Sequence, residues 1–317
     1  MRGLLALLLL SMPVSAQAQS IRALFVGIDT YRFSANPDRK AAFKDLKGAV
    51  GDSLRFKEAM RSLYKIEVDG LTADTASPEK CSDENAGSIT LVNVCADRNA
   101  ILAALDRLIA RSKPNDTLLF FFAGHGSQYA DDSDFAQASG YNGTILPTDA
   151  RDPAGLAKGD ILDIELKAIK DRATAAGVHF VTVFDSCNSG TATRDGASGQ
   201  SRSVPILRGK VNRAAASNVG GPGGGYWTHL AAAQDGEQAQ EVGAVGKREG
   251  VFTTALIETM FALPGGTFGD LIRETRLRVA LGGHSSQTPV AEGTLTASLG
   301  TSARRAVFFP ARRDGEG

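Results

Sequence analysis

Continuous apolar runs alternate along the chain with segments in which apolar residues recur every three or four positions. The apolar runs predict buried strands at 22–28, 117–123 and 178–184. The helical spacing predicts helices over residues 46–64, 97–110, 161–172, 251–262 and 267–280. Because strands that alternate with helices form βαβ units, the pattern predicts an α/β fold with a mainly parallel sheet sandwiched by helices.

Two segments interrupt this pattern. Residues 69–94 are mostly polar and are expected to form a loop or a small hairpin. Residues 194–226 are rich in Gly, Ala, Ser and Arg and end in a run of glycines, which predicts a flexible surface loop. The glycine run lacks the Lys-Ser/Thr ending of a phosphate-binding loop. Further strands are expected near 228–233 and at 306–309.

The N-terminus carries the parts of a secretory signal peptide. Arg2 supplies a positive charge, Leu4–Leu10 is an apolar run, and small residues at 14–18 offer a cleavage site. The run is too short to span a membrane in a relaxed way. We therefore expect residues 1–18 to be removed and the protein to be periplasmic or secreted, without a stable membrane anchor. A buried N-terminal helix or an uncleaved anchor is the alternative.

Length and charge narrow the function classes. A chain of 317 residues with 43% hydrophobic content can bury a globular core. Its 35 basic and 35 acidic residues balance, whereas a nucleic-acid-binding protein usually shows a strong basic excess. The one long apolar run lies at the extreme N-terminus, which excludes a protein with several membrane spans. The composition therefore predicts a globular protein that binds no nucleic acid.

The two segments that carry candidate chemistry each follow a predicted strand. One is Gly124–Ser127, which contains His125, and the other is Asp185–Gly190, which contains Cys187. Ligands bind outside the carboxyl ends of parallel strands, so a thiol nucleophile and an imidazole base would meet there. The backbone amides of Gly126 and Cys187 would then hold an oxyanion. Each side chain also has a structural alternative, a hydrogen-bonded histidine or a buried, inert thiol.

The other two cysteines indicate a disulfide bond. Cys81 and Cys95 lie in a polar segment, and an oxidising compartment would favour a bond between them. Cys187 is then the odd cysteine of the three, and an unpaired thiol in an exported protein calls for a role of its own.

Together these motifs resemble the caspase-like cysteine peptidases, and specifically the metacaspase/orthocaspase branch of bacteria. The motifs are FFAGHGSQ at 121–128 and DSCNSG at 185–190, supported by FVGIDTY at 25–31, LKGAVGD at 46–52 and ILPTD at 145–149. The resemblance implies a caspase-hemoglobinase fold in which Cys187 is the nucleophile and His125 the general base and acid. It also implies one domain, with a large-subunit-like (p20) region at 19–193, the loop at 194–226 and a small-subunit-like (p10) region at 227–317.

A preference for Arg or Lys before the cleaved bond is also implied. Asp185 lies two residues before Cys187, so both side chains project to the same side of an extended strand. A carboxylate at that place can pair with a guanidinium or ammonium group of the substrate. Asp52 matches the family's second acidic specificity residue. The structural alternatives are a capping or turn role for Asp185 and an exposed helix charge for Asp52.

The chain departs from the family pattern at positions outside the Cys–His pair. Ala123 stands before Gly-His-Gly where metacaspases often have a polar residue. Ala49 and Asn188 stand where they often have Cys and His. These departures affect the expected fine specificity more than the expected catalysis.

Calcium is the one metal that the resemblance raises, because many metacaspases need it. The available carboxylates are Asp131, Asp132, Asp134 and Asp163. Calcium needs six or more oxygen ligands, and Arg194 stands near the place of a further acidic ligand, where its positive charge opposes the cation. We therefore expect a solvated acidic loop, no metal site and no required cofactor, with a bound calcium ion as the alternative.

These observations favour an exported cysteine endopeptidase that acts on protein or peptide substrates after Arg or Lys. Self-cleavage is expected within 194–213, with a solvated basic linker as the alternative; the basic residues there are Arg194, Arg202, Arg208, Lys210 and Arg213. Two other functions stay open. One is a non-catalytic caspase-like binding module, and the other is a clan-related peptidase or transpeptidase of different specificity, such as a legumain-like Asn-specific enzyme.

Overall fold

A computed structural model describes residues 19–35, 42–67, 87–131, 140–153, 159–187, 199–209, 224–244 and 247–299. The helices are α1 (Ala49–Tyr64), α2 (Arg98–Arg111), α3 (Asp163–Ala175), α4 (Val251–Ala262) and α5 (Phe268–Leu281). The strands are β1 (Ile21–Gly27), β2 (Ser88–Val92), β3 (Thr117–Ala123), β4 (Gly126–Asp131), β5 (Tyr141–Ile145), β6 (Ile161–Leu162), β7 (His179–Asp185), β8 (Gly199–Ser201), β9 (Leu207–Gly209), β10 (Trp227–Ala231), β11 (Gln240–Val242), β12 (Glu249–Gly250) and β13 (Val290–Gly293). All five predicted helices are confirmed to within three residues at each end.

A six-stranded sheet with the order β13-β10-β7-β3-β1-β2 lies at the centre. Every neighbouring pair is parallel except β10 and β13. Helices cover both faces, so the predicted mainly parallel α/β architecture is confirmed. In the register of β3 and β7, Ala123 pairs with Asp185, the last residue of each strand. The chain therefore leaves both strands at the same edge of the sheet.

The core follows from the alternation of side chains along the strands. In β3, Phe120 and Phe122 belong to the apolar cluster that includes residues of α2 and α3. Phe121 points to the opposite face, among residues of α1, α4 and α5, and stacks on Phe56 with 4.4 Å between ring centroids. Because successive strand residues face opposite sides, one continuous apolar run supplies both halves of the core.

Carboxylates near the carboxyl ends of β1 and β7 fix the starts of two helices. Asp29 Oδ1 accepts a hydrogen bond from the Ala49 amide of α1 at 2.8 Å. Asp185 Oδ2 accepts from the amide of Thr253 in α4 at 3.1 Å and from its hydroxyl at 2.6 Å. Asp97 caps α2 locally, with its side chain accepting from the Ala100 amide. The carboxylates of Asp29 and Asp185 lie 20 and 68 residues before the amides that they bind, so these bonds tie the helix starts to the strand ends.

Two expectations about loops are corrected. Residues 88–92, expected within a loop or hairpin at 69–94, form strand β2 parallel to β1 at the edge of the sheet. Ser88 and Thr90 are buried there, and these polar residues hid the strand in the sequence pattern. Residues 199–209, expected within a flexible surface loop, include β8 and β9 and the fully buried Arg202.

Several expectations lie outside the described ranges. The signal peptide at 1–18 and the strand at 306–309 both fall there. Within the described ranges, no helix combines the length and apolar character that a membrane crossing requires.

Candidate active site

His125 and Cys187 follow the ends of adjacent strands. His125 lies two residues after β3, and Cys187 lies two residues after β7. Both are buried, with 1% and 0% of their surfaces exposed. No hydrogen bond joins the thiol to the imidazole among the described residues, so the structure brings the pair to one edge of the sheet without a direct bond.

The His125 ring is fixed by surrounding backbone and aromatic groups. Its Nε2 lies 2.7 Å from the carbonyl oxygen of Lys44, and its amide donates to the Tyr31 hydroxyl at 2.7 Å. The Tyr31 and Phe43 rings lie 5.1 Å and 5.2 Å from the imidazole centroid. Because a carbonyl oxygen only accepts, Nε2 carries the proton and Nδ1 keeps a free electron pair. Burial lowers the pKa of His125 to about 4, so the ring is neutral at physiological pH.

The Cys187 sulfur lies among backbone and hydroxyl groups. The Ala239 amide donates to it at 3.0 Å, and the Ser201 hydroxyl lies 3.8 Å away. Burial raises the pKa of Cys187 to about 11, although these hydrogen bonds partly oppose the rise. The thiol and the imidazole are therefore both neutral at physiological pH.

The two predicted pocket acids lie together around the guanidinium of the chain's own Arg202. Arg202 Nη2 lies 2.5 Å from Asp52 Oδ2, and Nη1 lies 3.0 Å from Asp185 Oδ1. All three side chains are fully buried. Asp185 also caps α4, so its predicted pairing role and its structural alternative occur together. Asp52 is not the exposed helix charge of its structural alternative.

Two further pocket residues were not predicted from the sequence. Glu241 in β11 is buried and lies 3.7 Å from Arg202 Nη2. The Gly250 amide donates to both carboxylate oxygens of Asp52 at 3.1 Å and 2.9 Å. A side chain at Gly250 would collide with the carboxylates of Asp52 and Asp185. Neither residue lies in a recognisable motif. Both bind the start of α1 from far along the chain: the Gly48 amide donates to Glu241 across 193 residues, and the Gly250 amide donates to Asp52 across 198 residues.

The pocket around Arg202 is strongly acidic. Burial raises the pKa of Asp185, and Arg202 opposes this rise. Burial likewise raises the pKa of Glu241, again against Arg202. The Arg202 guanidinium thus stabilises the ionised forms of several buried carboxylates, and two partly exposed arginines add to this, Arg55 at 2.5 Å from Asp52 and Arg248 at 3.9 Å from Glu241. Such a pocket favours a cation with several hydrogen-bond donors.

The backbone of Arg202 is bound as tightly as its side chain. Its carbonyl oxygen accepts from the Gly126 amide at 3.0 Å, and its own amide donates to the Ala239 carbonyl at 3.0 Å. The preceding strand β8 pairs antiparallel with β11, with Ser201 opposite Gln240. A side chain at Gly126 would collide with the Cys187 carbonyl, so only glycine allows this approach. The predicted oxyanion donor Gly126 thus contacts the carbonyl of a residue whose side chain fills the acidic pocket.

The two described cysteines differ in their bonding. Cys187 is the free cysteine among them, and Cys95 is disulfide-bonded. Cys81 lies outside the described ranges, so the pairing of Cys81 with Cys95 stays a prediction.

The acidic residues proposed for calcium are described only in part. Asp132, Asp134 and Arg194 lie outside the described ranges, as does the side chain of Asp131. Asp163 accepts from the Gly143 amide at 3.1 Å. No group of three or more metal-ligating side chains occurs in the described part of the chain.

Comparisons with known proteins identify relatives of this chain. A family model described as "Metacaspase, peptidase C14 domain" matches residues 21–194. Metacaspase-1 of Plasmodium falciparum is 32% identical over 176 residues, which are 54% of this chain and 24% of that protein. Metacaspase-1 of Schizosaccharomyces pombe is 30% identical over 173 residues, which are 54% of this chain and 34% of that protein. The matched part thus spans a quarter to a third of these relatives.

A solved structure shares the fold. The crystal structure of protein GSU0716 from Geobacter sulfurreducens matches with a TM-score of 0.58 at 19% identity, covering 86% of this chain and 93% of that chain. The family match ends at residue 194, so Arg202 and Glu241 lie beyond it. Their place in the site comes from the fold of this chain.

Proposed function

This chain belongs to the metacaspase family of caspase-like cysteine peptidases, and we propose that it is an exported cysteine endopeptidase that cleaves after Arg or Lys. The observation that carries the proposal is the position of Arg202 in the candidate site. Its guanidinium fills a pocket of buried carboxylates, and its carbonyl oxygen accepts from the Gly126 amide. An Arg of a protein substrate would occupy the same pocket with the same backbone contact.

The proposed reaction uses the neutral thiol and imidazole. The Cys187 sulfur attacks the carbonyl carbon of the substrate Arg, and its proton passes to Nδ1 of His125. As the C–S bond forms, the carbonyl oxygen becomes an oxyanion that the Gly126 and Cys187 amides stabilise. The C–N bond then breaks, and the imidazolium gives its proton to the leaving amine. Water, deprotonated by His125, hydrolyses the thioester and restores the thiol.

Specificity is assigned to the acids that surround Arg202. Asp52 and Asp185 lie on different elements and contact different nitrogens of the guanidinium. A planar guanidinium reaches both carboxylates at once, whereas a Lys ammonium is a single point charge. The pocket should therefore accept Arg and Lys in that order. An Asp or Asn side chain would bring no positive charge to the buried carboxylates of this pocket.

We also propose that the chain cleaves its own Arg202–Ser203 bond. Among the basic residues in the expected self-cleavage region, Arg202 is the one whose side chain and carbonyl are both described in the site. Uncleaved, it excludes other substrates from the pocket. Cleavage of this bond would make Arg202 a new C-terminus. Arg202 could then leave the acidic pocket, and the site would become open to other substrates.

The rate of this self-cleavage should change little between pH 7 and pH 9.5. The reacting form is a neutral thiol with a neutral imidazole, and the pKa values of about 11 for Cys187 and about 4 for His125 keep both neutral across that window. Burial also raises the pKa of nearby Asp29 to about 6, below the window. The measurement is the rate of fragment appearance at each pH. An inflexion near the usual thiol pKa of about 8.5 would show that the thiol reacts from a solvent-exposed state.

The test of the proposed function is a panel of fluorogenic peptides with Arg, Lys, Asp or Asn before the cleaved bond. The purified protein is first incubated until self-cleavage is complete and is assayed with and without calcium. We expect Arg and Lys peptides to be cleaved about 10³-fold faster than the others, because the pocket rejects groups that leave its charges unpaired. The Cys187→Ala chain serves as the blank.

Other outcomes of this panel contradict separate parts of the proposal. Selective cleavage after Asp or Asn would keep the Cys–His pair and overturn the pocket assignment. Absence of Cys187-dependent cleavage would contradict the peptidase and favour the caspase-like binding module. Activity that depends on added calcium would contradict the expectation that no cofactor is required.

Export is proposed on the sequence alone. Its support is Arg2 and the apolar run Leu4–Leu10. The protein would then act in a periplasm or outside the cell, on substrates that it meets there.

A further inference from the structure

The chain immediately after Arg202 follows strand β4 away from the candidate nucleophile. Ser203 forms an isolated parallel bridge with Gly126, and the Val204 amide donates to the Gly126 carbonyl at 3.3 Å. Further on, β9 pairs in parallel with β4, with Leu207 opposite Tyr129. Residues 203–209 therefore lie in extended contact with β4 on the leaving-group side of the Arg202–Ser203 bond.

Two buried side chains bind backbone carbonyls of this segment. The Ser127 hydroxyl lies 3.0 Å from the carbonyl oxygens of both Val204 and Pro205. Arg151 Nη1 donates to the Pro205 carbonyl at 2.7 Å. Ser127 and Arg151 are both fully buried. The donors thus converge on the second and third residues after Arg202.

Arg151 is held in place by its own partner. Its Nε and Nη2 donate to the two carboxylate oxygens of Asp160 at 3.0 Å and 2.9 Å, and the Thr144 hydroxyl also donates to Asp160. This bidentate pair leaves Nη1 for the Pro205 carbonyl. A guanidinium that is already oriented loses little further freedom when it binds a carbonyl.

The second residue after Arg202 also has a place for its side chain. Val204 is fully buried and belongs to the apolar cluster that includes Leu146 and Ile161. The third residue, Pro205, is partly exposed. The arrangement therefore selects an apolar side chain at the second position and recognises the backbone at the second and third.

We propose that Ser127, Arg151 and the edge of β4 form a substrate-binding groove for the leaving-group side of the cleaved bond. This inference rests on the proposed peptidase function. Once the segment that begins at Ser203 has left β4 after self-cleavage, the groove binds extended substrates that continue at least three residues beyond the Arg and carry an apolar second residue. The enzyme is accordingly an endopeptidase for extended polypeptide segments, because short C-terminal stubs cannot reach the Arg151 contact.

The test is a length series of peptides on the self-cleaved full chain. Each peptide begins with the Gly-Gln-Ser-Arg sequence of residues 199–202 and continues with one, two, three or four residues of Ser-Val-Pro-Ile. Cleavage is followed by mass spectrometry, and kcat/KM is expected to rise about tenfold or more from one to three following residues, with little further gain from the fourth. Replacement of Val by Asp at the second position after the Arg of the peptide should remove most of this rise in kcat/KM.

A matched pair of variants links the gain to the groove. Ser127→Ala should lower the ratio of kcat/KM between the three-residue and one-residue peptides about fivefold, because it removes one donor. Ser112→Ala removes a hydroxyl that donates to the Leu108 carbonyl at 2.8 Å near the end of α2, and it should leave the ratio unchanged. Using a ratio makes the result insensitive to a loss of folded protein.

The outcomes separate this inference from the proposed function. Equal kcat/KM for all lengths, with cleavage after Arg intact, would overturn the groove and leave the peptidase standing. It would mean that Ser127 and Arg151 bind only the chain's own segment. A gain that survives Ser127→Ala unchanged would also overturn the assigned contact. No cleavage of any peptide would overturn the proposed function itself, and the groove with it.

Discussion

Replacement of Cys187 by Ala is expected to abolish cleavage of both added Arg peptides and the chain's own Arg202–Ser203 bond. The expected loss in kcat is about 10⁵-fold or more, which is the scale seen when a covalent nucleophile is removed. The proposed Cys187 and His125 act as one unit, so His125→Ala should cost about as much, and the double variant should be no worse. The measurements are peptide kinetics and the appearance of fragments over days.

The Cys187→Ala chain is expected to fold, which keeps this experiment interpretable. The thiol is small, its described hydrogen-bond contacts are with Ala239 and Ser201, and alanine keeps an apolar group in the core cluster to which Cys187 belongs. A circular-dichroism melt compared with that of the wild-type chain checks folding. Cleavage at residue 202 in purified Cys187→Ala protein would contradict the assigned nucleophile. Loss of peptide cleavage with self-cleavage retained would separate the two reactions.

Much of the scaffold was predictable because its signals are local. The apolar run at 117–123 is long and continuous, so strand β3 has the predicted bounds. The run from Val251 to Ala262 likewise has the predicted bounds of α4. The positions of His125 and Cys187 at neighbouring strand ends follow from the strand pattern, because parallel strands present their carboxyl ends at one edge. Pairing of β3 with β7 then brings the two segments together.

The occupant of the pocket was not predictable from local pattern. Arg202 lies in a stretch rich in Gly, Ser and Arg, which is typical of a loop. Its burial depends on the contact with Asp52, 150 residues away in sequence. Glu241 and Gly250 depend on contacts of similar range. The composition of this segment reflects only its local preferences. Arg202 is instead fixed by three buried carboxylates from elsewhere in the chain.

Burial of the Asp185 carboxylate explains why this residue has two roles. A lone buried carboxylate would be strongly destabilising, and burial does raise the pKa of Asp185. The α4 cap through Thr253 supplies two hydrogen bonds whether or not a cation is present. The cap therefore holds the carboxylate in place when the pocket is empty, and a guanidinium completes its coordination when the pocket is filled.

Replacement of Arg202 by Gln is expected to suppress cleavage at the Arg202–Ser203 bond by about 10²- to 10³-fold. Gln lacks the charge that pairs with Asp52, Asp185 and Glu241, and removing one partner of a buried ion pair costs about 3–5 kcal/mol. The segment would then leave the site, because the pocket no longer holds it. Arg202→Lys should keep the cut at this position but slow it about tenfold, since an ammonium cannot reach both carboxylates as a fork.

Fragment mass spectrometry with N-terminal sequencing decides this prediction. The wild-type chain should yield a fragment that begins at Ser203, and Arg202→Gln should not. Arg273→Gln is the matched control, because it makes the same exchange at an exposed residue of α5 whose partner is Asp270. It should be cleaved at the wild-type rate. An Arg202→Gln chain that still cleaves before Ser203 would show that the carboxylate pocket does not select the bond. In that case the buried acids would serve only to hold the fold, and the specificity would have to come from elsewhere in the site.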